Sequence, residues 1–160
     1  NIGANIVSLN ISQIIEIYEI RESLEGLACR LAATNAIPDD CFRLRELLTQ
    51  HEKQIQSENG RIYYQREGDL DFHFQIVQLS GNGRLFDILC GELYHLQRLY
   101  RVQTASEPSR PIQAFKEHHQ IVDAIEKNDS ELAELLMKRH ISSAKSTLLN
   151  ELNQIDKEYN

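Results

Sequence analysis

From Ile14 onward the apolar residues fall at helical intervals. Ile14, Ile17, Leu24, Leu27 and Leu31 recur every three, four or seven positions, which predicts one face of a helix. Asn10 and Gln13 have the spacing of a capping box at its start. Asn35 and Pro38 punctuate its end, and Pro38 suits the first turn of the next helix, where a missing N–H costs nothing. That second helix carries Phe42, Leu44, Leu47, Leu48 and Ile55 and stops at Glu58-Asn59-Gly60. A third is expected from about Ile62 to Leu79, closed by Ser80-Gly81-Asn82-Gly83. A fourth follows with Leu85, Ile88, Leu89, Leu93, Leu96 and Leu99, and the longest loop-like stretch is TASEPSRP, 104–111. The fifth covers QAFKEHHQIVDAIEK and ends at Asn128-Asp129. The last is long, with Leu132, Leu135, Leu136, Ile141, Ala144 and Leu148. Short connections between such segments predict an all-α fold, an antiparallel bundle of about six helices. The first ten residues differ. Gly3 and the β-branched pair Ile6 and Val7 read as a short strand leading into the helical unit, so residues 1–10 are set apart from 11–160.

Composition narrows the function classes. The chain has 160 residues, 41% apolar and 26% charged, enough for one domain with a real core. No apolar run approaches the ~18 residues of a membrane span, and no signal design opens the chain, so a cytoplasmic protein with no membrane partner is expected. The net charge of −7 does not suit a phosphate-binding surface, and this chain alone is expected not to bind DNA. Cys29, Cys41 and Cys90 are odd in number and lack CxxC spacing, which argues against a disulfide framework or a zinc ribbon.

The six histidines carry the candidate chemistry. Asp69 and His73 are four apart, so on a helix they stand about 40° apart in azimuth and about 6 Å in rise, on one face. Phe72 and Ile76 make that face apolar. His118 shares a face with Ile121, Ala124 and Ile125, whereas His119, rotated by about 100°, falls nearer the exposed side. His140 shares a stripe with Ala133, Leu136 and Ala144. Three imidazoles and a carboxylate aimed inward are costly if unpaired. Two arrangements remove that cost: a divalent cation such as zinc or nickel, or a buried hydrogen-bond network without metal. Glu92 and His95 form an isolated ExxH pair without the second pair a di-iron bundle needs. Arg21 and Glu25 are spaced as an intrahelical ion pair, though Arg21 adjoins the core stripe and could face a cavity.

Taken together, these residues resemble the FCD domain, the C-terminal effector-binding domain of the FadR subfamily in the GntR superfamily of bacterial transcription regulators. Arg21, Leu24 and Glu25 match its R-x-x-L-E element, and Asp69, Phe72 and His73 match D-x-x-F-H, followed by Ser80, Gly81 and Asn82. Glu117, His118, Ile121, Ala124 and Ile125 match E-H-x-x-I-x-x-A-I, and Met137 and His140 match M-x-x-H. The resemblance implies one metal ion held by Asp69, His73, His118 and His140, and it leaves His119 out of register. It makes NIGANIVSLN look like the last wing strand and linker of a winged helix, with operator DNA bound only through that missing N-terminal domain. A homodimer follows from the paired half-sites such regulators read. The cation and Arg21 together suit a small carboxylate effector. Two alternatives belong to other classes: a structural metal in an interaction or dimerisation module, and a zinc hydrolase. The hydrolase needs a general base near a metal-bound water, and Glu117, about 100° from His118, is turned away.

Overall fold

A computed structural model describes residues 11–57, 68–93 and 110–158, and at some helical positions, Asp69 and Asp71 among them, the backbone alone. The expected strand in residues 1–10, positions 104–109 of the expected loop 104–111, and His95 lie outside the described residues, whereas loop positions 110 and 111 open a helix instead. The order is α1 (Ile11–Asn35), α2 (Pro38–Ser57), α3 (Gly68–Leu79), α4 (Gly83–Phe86) running into a π-helical turn (Asp87–Glu92), α5 (Arg110–Glu126) and α6 (Ser130–Glu158). The architecture is the all-α bundle expected from the pattern, and the described residues contain no strand.

α1 and α6 pack along each other most extensively, with α3 and α5 against them and α2 behind α5. The face α1 buries is offset from its leucine stripe. Ile14, Ile17, Tyr18, Arg21, Glu25, Ala28, Cys29 and Ala32 are buried at intervals of three and four, whereas Leu27 is 38% exposed. Small residues, Gly26, Ala28, Cys29 and Ala32, occupy the buried face, and Gly26 lies under the Lys138 side chain, whose Cε a methyl there would approach to 2.8 Å. Leu24 and Leu31 instead border a second, smaller cluster of Ala28, Val77, Leu85 and Leu89. Phe42, Leu132 and Leu135, part of the apolar pattern of their helices, are exposed, and so is Ile88. Leu44, Leu48, Phe72, Ile76, Ile121, Ile125, Met137 and Ile141 form the centre.

Ser80-Gly81-Asn82 is a built corner. Gly81 adopts φ +66°, a left-handed value that a side chain resists. Asn82 Oδ1 accepts from the backbone N–H groups of Arg84 (3.1 Å) and Leu85 (3.2 Å), capping α4. Asn35 Nδ2 ties the corner to α1 by donating to the Ser80 carbonyl at 2.8 Å. Asn82→Ala is expected to cost about 1 kcal/mol, a lost cap, and to lower the melting temperature by roughly 2–4 °C. An unchanged melting temperature in scanning calorimetry would show that the cap contributes nothing.

Candidate metal and anion site

Three helices each send one histidine to a common point. His73 comes from α3, flanked by buried Phe72, Ile76 and Val77; His118 from α5, beside Ile121 and Val122; and His140 from α6, beside Met137 and Ile141. All three are buried, and the apolar neighbours that turn them inward are those on the same helical face. His140 Nε2 lies 3.2 Å from His73 Nε2 and 3.3 Å from His118 Nε2. Phe72 stacks on the His118 ring, centroids 4.0 Å apart and 18° from parallel, which fixes that ring's plane.

The other ring nitrogens explain why these distances matter. His73 Nδ1 is 2.5 Å from Glu25 Oε2, and His140 Nδ1 is 2.6 Å from Glu117 Oε2. An ionised carboxylate only accepts, so each of these Nδ1 atoms carries the hydrogen. In the neutral rings, the Nε2 atoms of His73 and His140 then point lone pairs at each other across 3.2 Å. A cation between them turns that repulsion into coordination. With metal–nitrogen bonds of ~2.0–2.1 Å, ligand atoms stand about 3.3 Å apart in a tetrahedron and about 2.9 Å apart in adjacent octahedral positions. The donor set therefore fits a zinc-like ion. His73, His118 and His140 also form the one buried group of potential ligands among the described residues with mutually close donor atoms. The Asp69 side chain lies outside the described ones, and α3 carries its backbone one turn before His73.

Arg21 extends the site. It is 0% exposed, and its Nε donates to Glu25 Oε1 at 2.7 Å. Its guanidinium carbon lies 4.9 Å from the Tyr18 ring centroid. The terminal atoms Nη1 and Nη2 are buried and have no hydrogen-bond partner. Two such donors each carry a desolvation cost of about 1–3 kcal/mol. Burial pushes the Glu25 carboxyl upward, but the charge of Arg21 and the contact with His73 outweigh it and hold Glu25 well below the usual carboxylate range. It is an anion.

His119 is half-buried in a separate network. Arg45 on α2 reaches its Nδ1 at 3.2 Å and also pairs with Asp123 and Glu126, clasping α2 to α5. His51 is buried on α2 but stands outside the cluster. The three cysteines are free, and Cys90 is pushed up to about 11, first by burial and then by Glu25, so it stays a protonated thiol. Sequence reading missed two roles. Glu25 is more than the ion-pair partner of Arg21, a role its place in the buried stripe could have suggested. Glu117 does turn away from His118, as expected, but it turns toward the outer nitrogen of His140 on the next helix.

The FCD domain family model matches residues 16–143. The Uxu operon transcriptional regulator of Escherichia coli K12 is 26% identical over 153 residues, covering 90% of this chain and 56% of that protein. The Exu regulon transcriptional regulator of the same strain is 27% identical over 150 residues, covering 91% and 55%. Among solved structures, Escherichia coli McbR/YncC superposes with a TM-score of 0.75 at 23% identity, covering 93% of this chain and 66% of that one. The chain thus spans a little over half the length of these regulators.

Proposed function

The chain belongs to the FCD domain family, and on that premise we propose that it is the effector-sensing domain of a GntR-type transcription regulator that holds one divalent metal ion and reads a small carboxylate. The observation that carries the metal reading is the convergence of three buried ring nitrogens from three helices. Buried Glu25 and partly exposed Glu117 each take the Nδ1 side of a ring, His73 and His140 respectively, so the Nε2 atoms converge beside His118. Nitrogen and oxygen donors suit zinc or nickel, with Asp69 the fourth ligand that the motif implies. The unpartnered Nη pair of Arg21 supports the carboxylate, since a guanidinium fork matches two oxygens of a planar anion.

In this reading Arg21 orients the effector, and Glu25 and Glu117 hold the histidine rings. The helices that carry these groups are drawn into one arrangement when the site fills, which gives the ligand its differential affinity for one state. The part of the relatives' length that this chain does not span would supply operator binding, in a homodimer. The relatives are named as transcriptional regulators, which supports a sensor over a hydrolase, and Glu117 sits on the far side of the His140 ring from the converging nitrogens. Among the described residues no helix is long and apolar enough to cross a membrane.

Elemental analysis of protein purified without an affinity column is expected to find close to one zinc or nickel per chain. A thermal-shift screen of metabolic carboxylic acids should give hits that disappear with chelator. Metal-free protein that zinc does not stabilise would defeat the metal reading, and hits indifferent to chelator would place sensing elsewhere.

A further inference from the structure

The buried groups around the histidines form one continuous chain, and its middle member serves two partners. Glu25 Oε1 accepts from Arg21 Nε at 2.7 Å, and Oε2 accepts from His73 Nδ1 at 2.5 Å. Arg21 and Glu25 are both buried, so neither bond competes freely with water. His73 in turn faces His140 through Nε2. Glu117 makes the corresponding bond to His140, but at the partly exposed edge, and its other oxygen accepts from Gln113. Glu25 thus links Arg21, with its open Nη pair, to the ring of His73.

We propose that Glu25 is a positioning residue that couples the two halves of the site, so that a carboxylate on Arg21 tightens metal binding and metal tightens carboxylate binding. The inference rests on the metal-and-carboxylate reading above. An anion on the Nη pair draws the guanidinium charge toward itself, and Arg21 then polarises Oε1 less. More of the Glu25 charge is left to the His73 Nδ1–H, which makes Nε2 a stronger donor, as outer partners do for metal-bound imidazoles. The effect must run equally in reverse, because coupling between two binding equilibria is reciprocal.

Simple attraction between a cation and an anion also couples the two ligands, but it responds differently to substitution. Neutralising Glu25 makes the site more positive, so through-space attraction for an anion persists or grows. A relay through Glu25 is lost. Glu25→Asp sharpens the contrast, since it keeps the charge but is one methylene too short to span Arg21 and His73.

The test is calorimetric titration of zinc into the metal-stripped 160-residue chain. It is run in sodium acetate and in sodium chloride of equal ionic strength, with zinc–acetate association in solution subtracted. The wild type is expected to bind zinc about five- to tenfold tighter in acetate, at the low end of allosteric couplings. Glu25→Gln should still bind zinc, roughly 10–100-fold more weakly, as for lost outer partners, with the acetate effect reduced to within about twofold. Glu25→Asp should lose the effect too, and it carries the test if the glutamine variant fails to fold. An acetate effect of wild-type size in a folded variant overturns the proposal. Zinc binding in the wild type with no acetate effect overturns it as well, while leaving the metal site standing. A wild type that binds no zinc defeats the metal reading itself, and the coupling with it.

Discussion

His140→Ala is expected to weaken zinc binding a few hundredfold, whereas His119→Ala, beside His118 in the chain, leaves zinc affinity unchanged. His140 is the hub of the cluster, 3.2 Å and 3.3 Å from the other two donor atoms, so no arrangement of the remaining pair replaces it. Protein zinc sites of four ligands bind with about 10–16 kcal/mol, or roughly 2.5–4 kcal/mol for each ligand, and each 1.4 kcal/mol is tenfold in affinity. His119 contacts Arg45 and Phe115 instead, and its pKa is lowered by burial and then by Arg45, the mark of a ring in a surface network. Competition with a fluorescent chelator measures both variants. The response to a carboxylate effector should vanish with the metal in His140→Ala. Zinc affinity at the wild-type level there would place any metal elsewhere, and an equal loss in both variants would point to unfolding rather than to a missing ligand.

Arg21→Met should abolish effector binding, by at least about a hundredfold, while changing stability by no more than roughly 1–2 kcal/mol. The affinity estimate follows from two charge-assisted hydrogen bonds, each worth about 1.5–3 kcal/mol. The stability estimate is the more informative half. Breaking a buried ion pair ordinarily costs about 3–5 kcal/mol, because the abandoned charge is left unpaired. Here Glu25 keeps His73, and the substitution also removes two buried donors that have no partner. Methionine fills much of the same volume. An arginine lost at so small a cost would not be held for the fold, in keeping with the proposed anion on its Nη atoms. Calorimetry with an effector found by screening measures the affinity, and urea denaturation measures the stability. A loss of 4 kcal/mol or more, with effector affinity intact, would make Arg21 a structural residue.

Several features were legible because they depend on neighbours three or four residues away. The helices belong here, as do the inward direction of His73, His118 and His140 and the outward tilt of His119, since apolar neighbours on the same turn settle each. The corner at Ser80-Gly81-Asn82 was legible as a break for the same local reason. The leucine stripe of α1 was misleading by about one position. Counting large apolar residues favoured Leu24, Leu27 and Leu31, but the face that α1 buries holds the small residues Gly26, Ala28, Cys29 and Ala32, together with the charged residues Arg21 and Glu25.

What the sequence by itself determined, then, is an all-α chain whose helical periods aim three imidazoles inward. Which atoms those rings present was decided only by the tertiary structure. Glu25 meets His73 across 48 positions and Glu117 meets His140 across 23, and no helical period relates residues on different helices. Those contacts fix the hydrogens on Nδ1 and leave the Nε2 lone pairs facing one another. Burial likewise completed Arg21: spacing pairs it with Glu25, but only the packed bundle closes around Nη1 and Nη2 and leaves them a partner to find. Local periodicity sets the direction of a side chain, whereas its protonation and its unmet hydrogen bonds depend on what the rest of the chain brings against it.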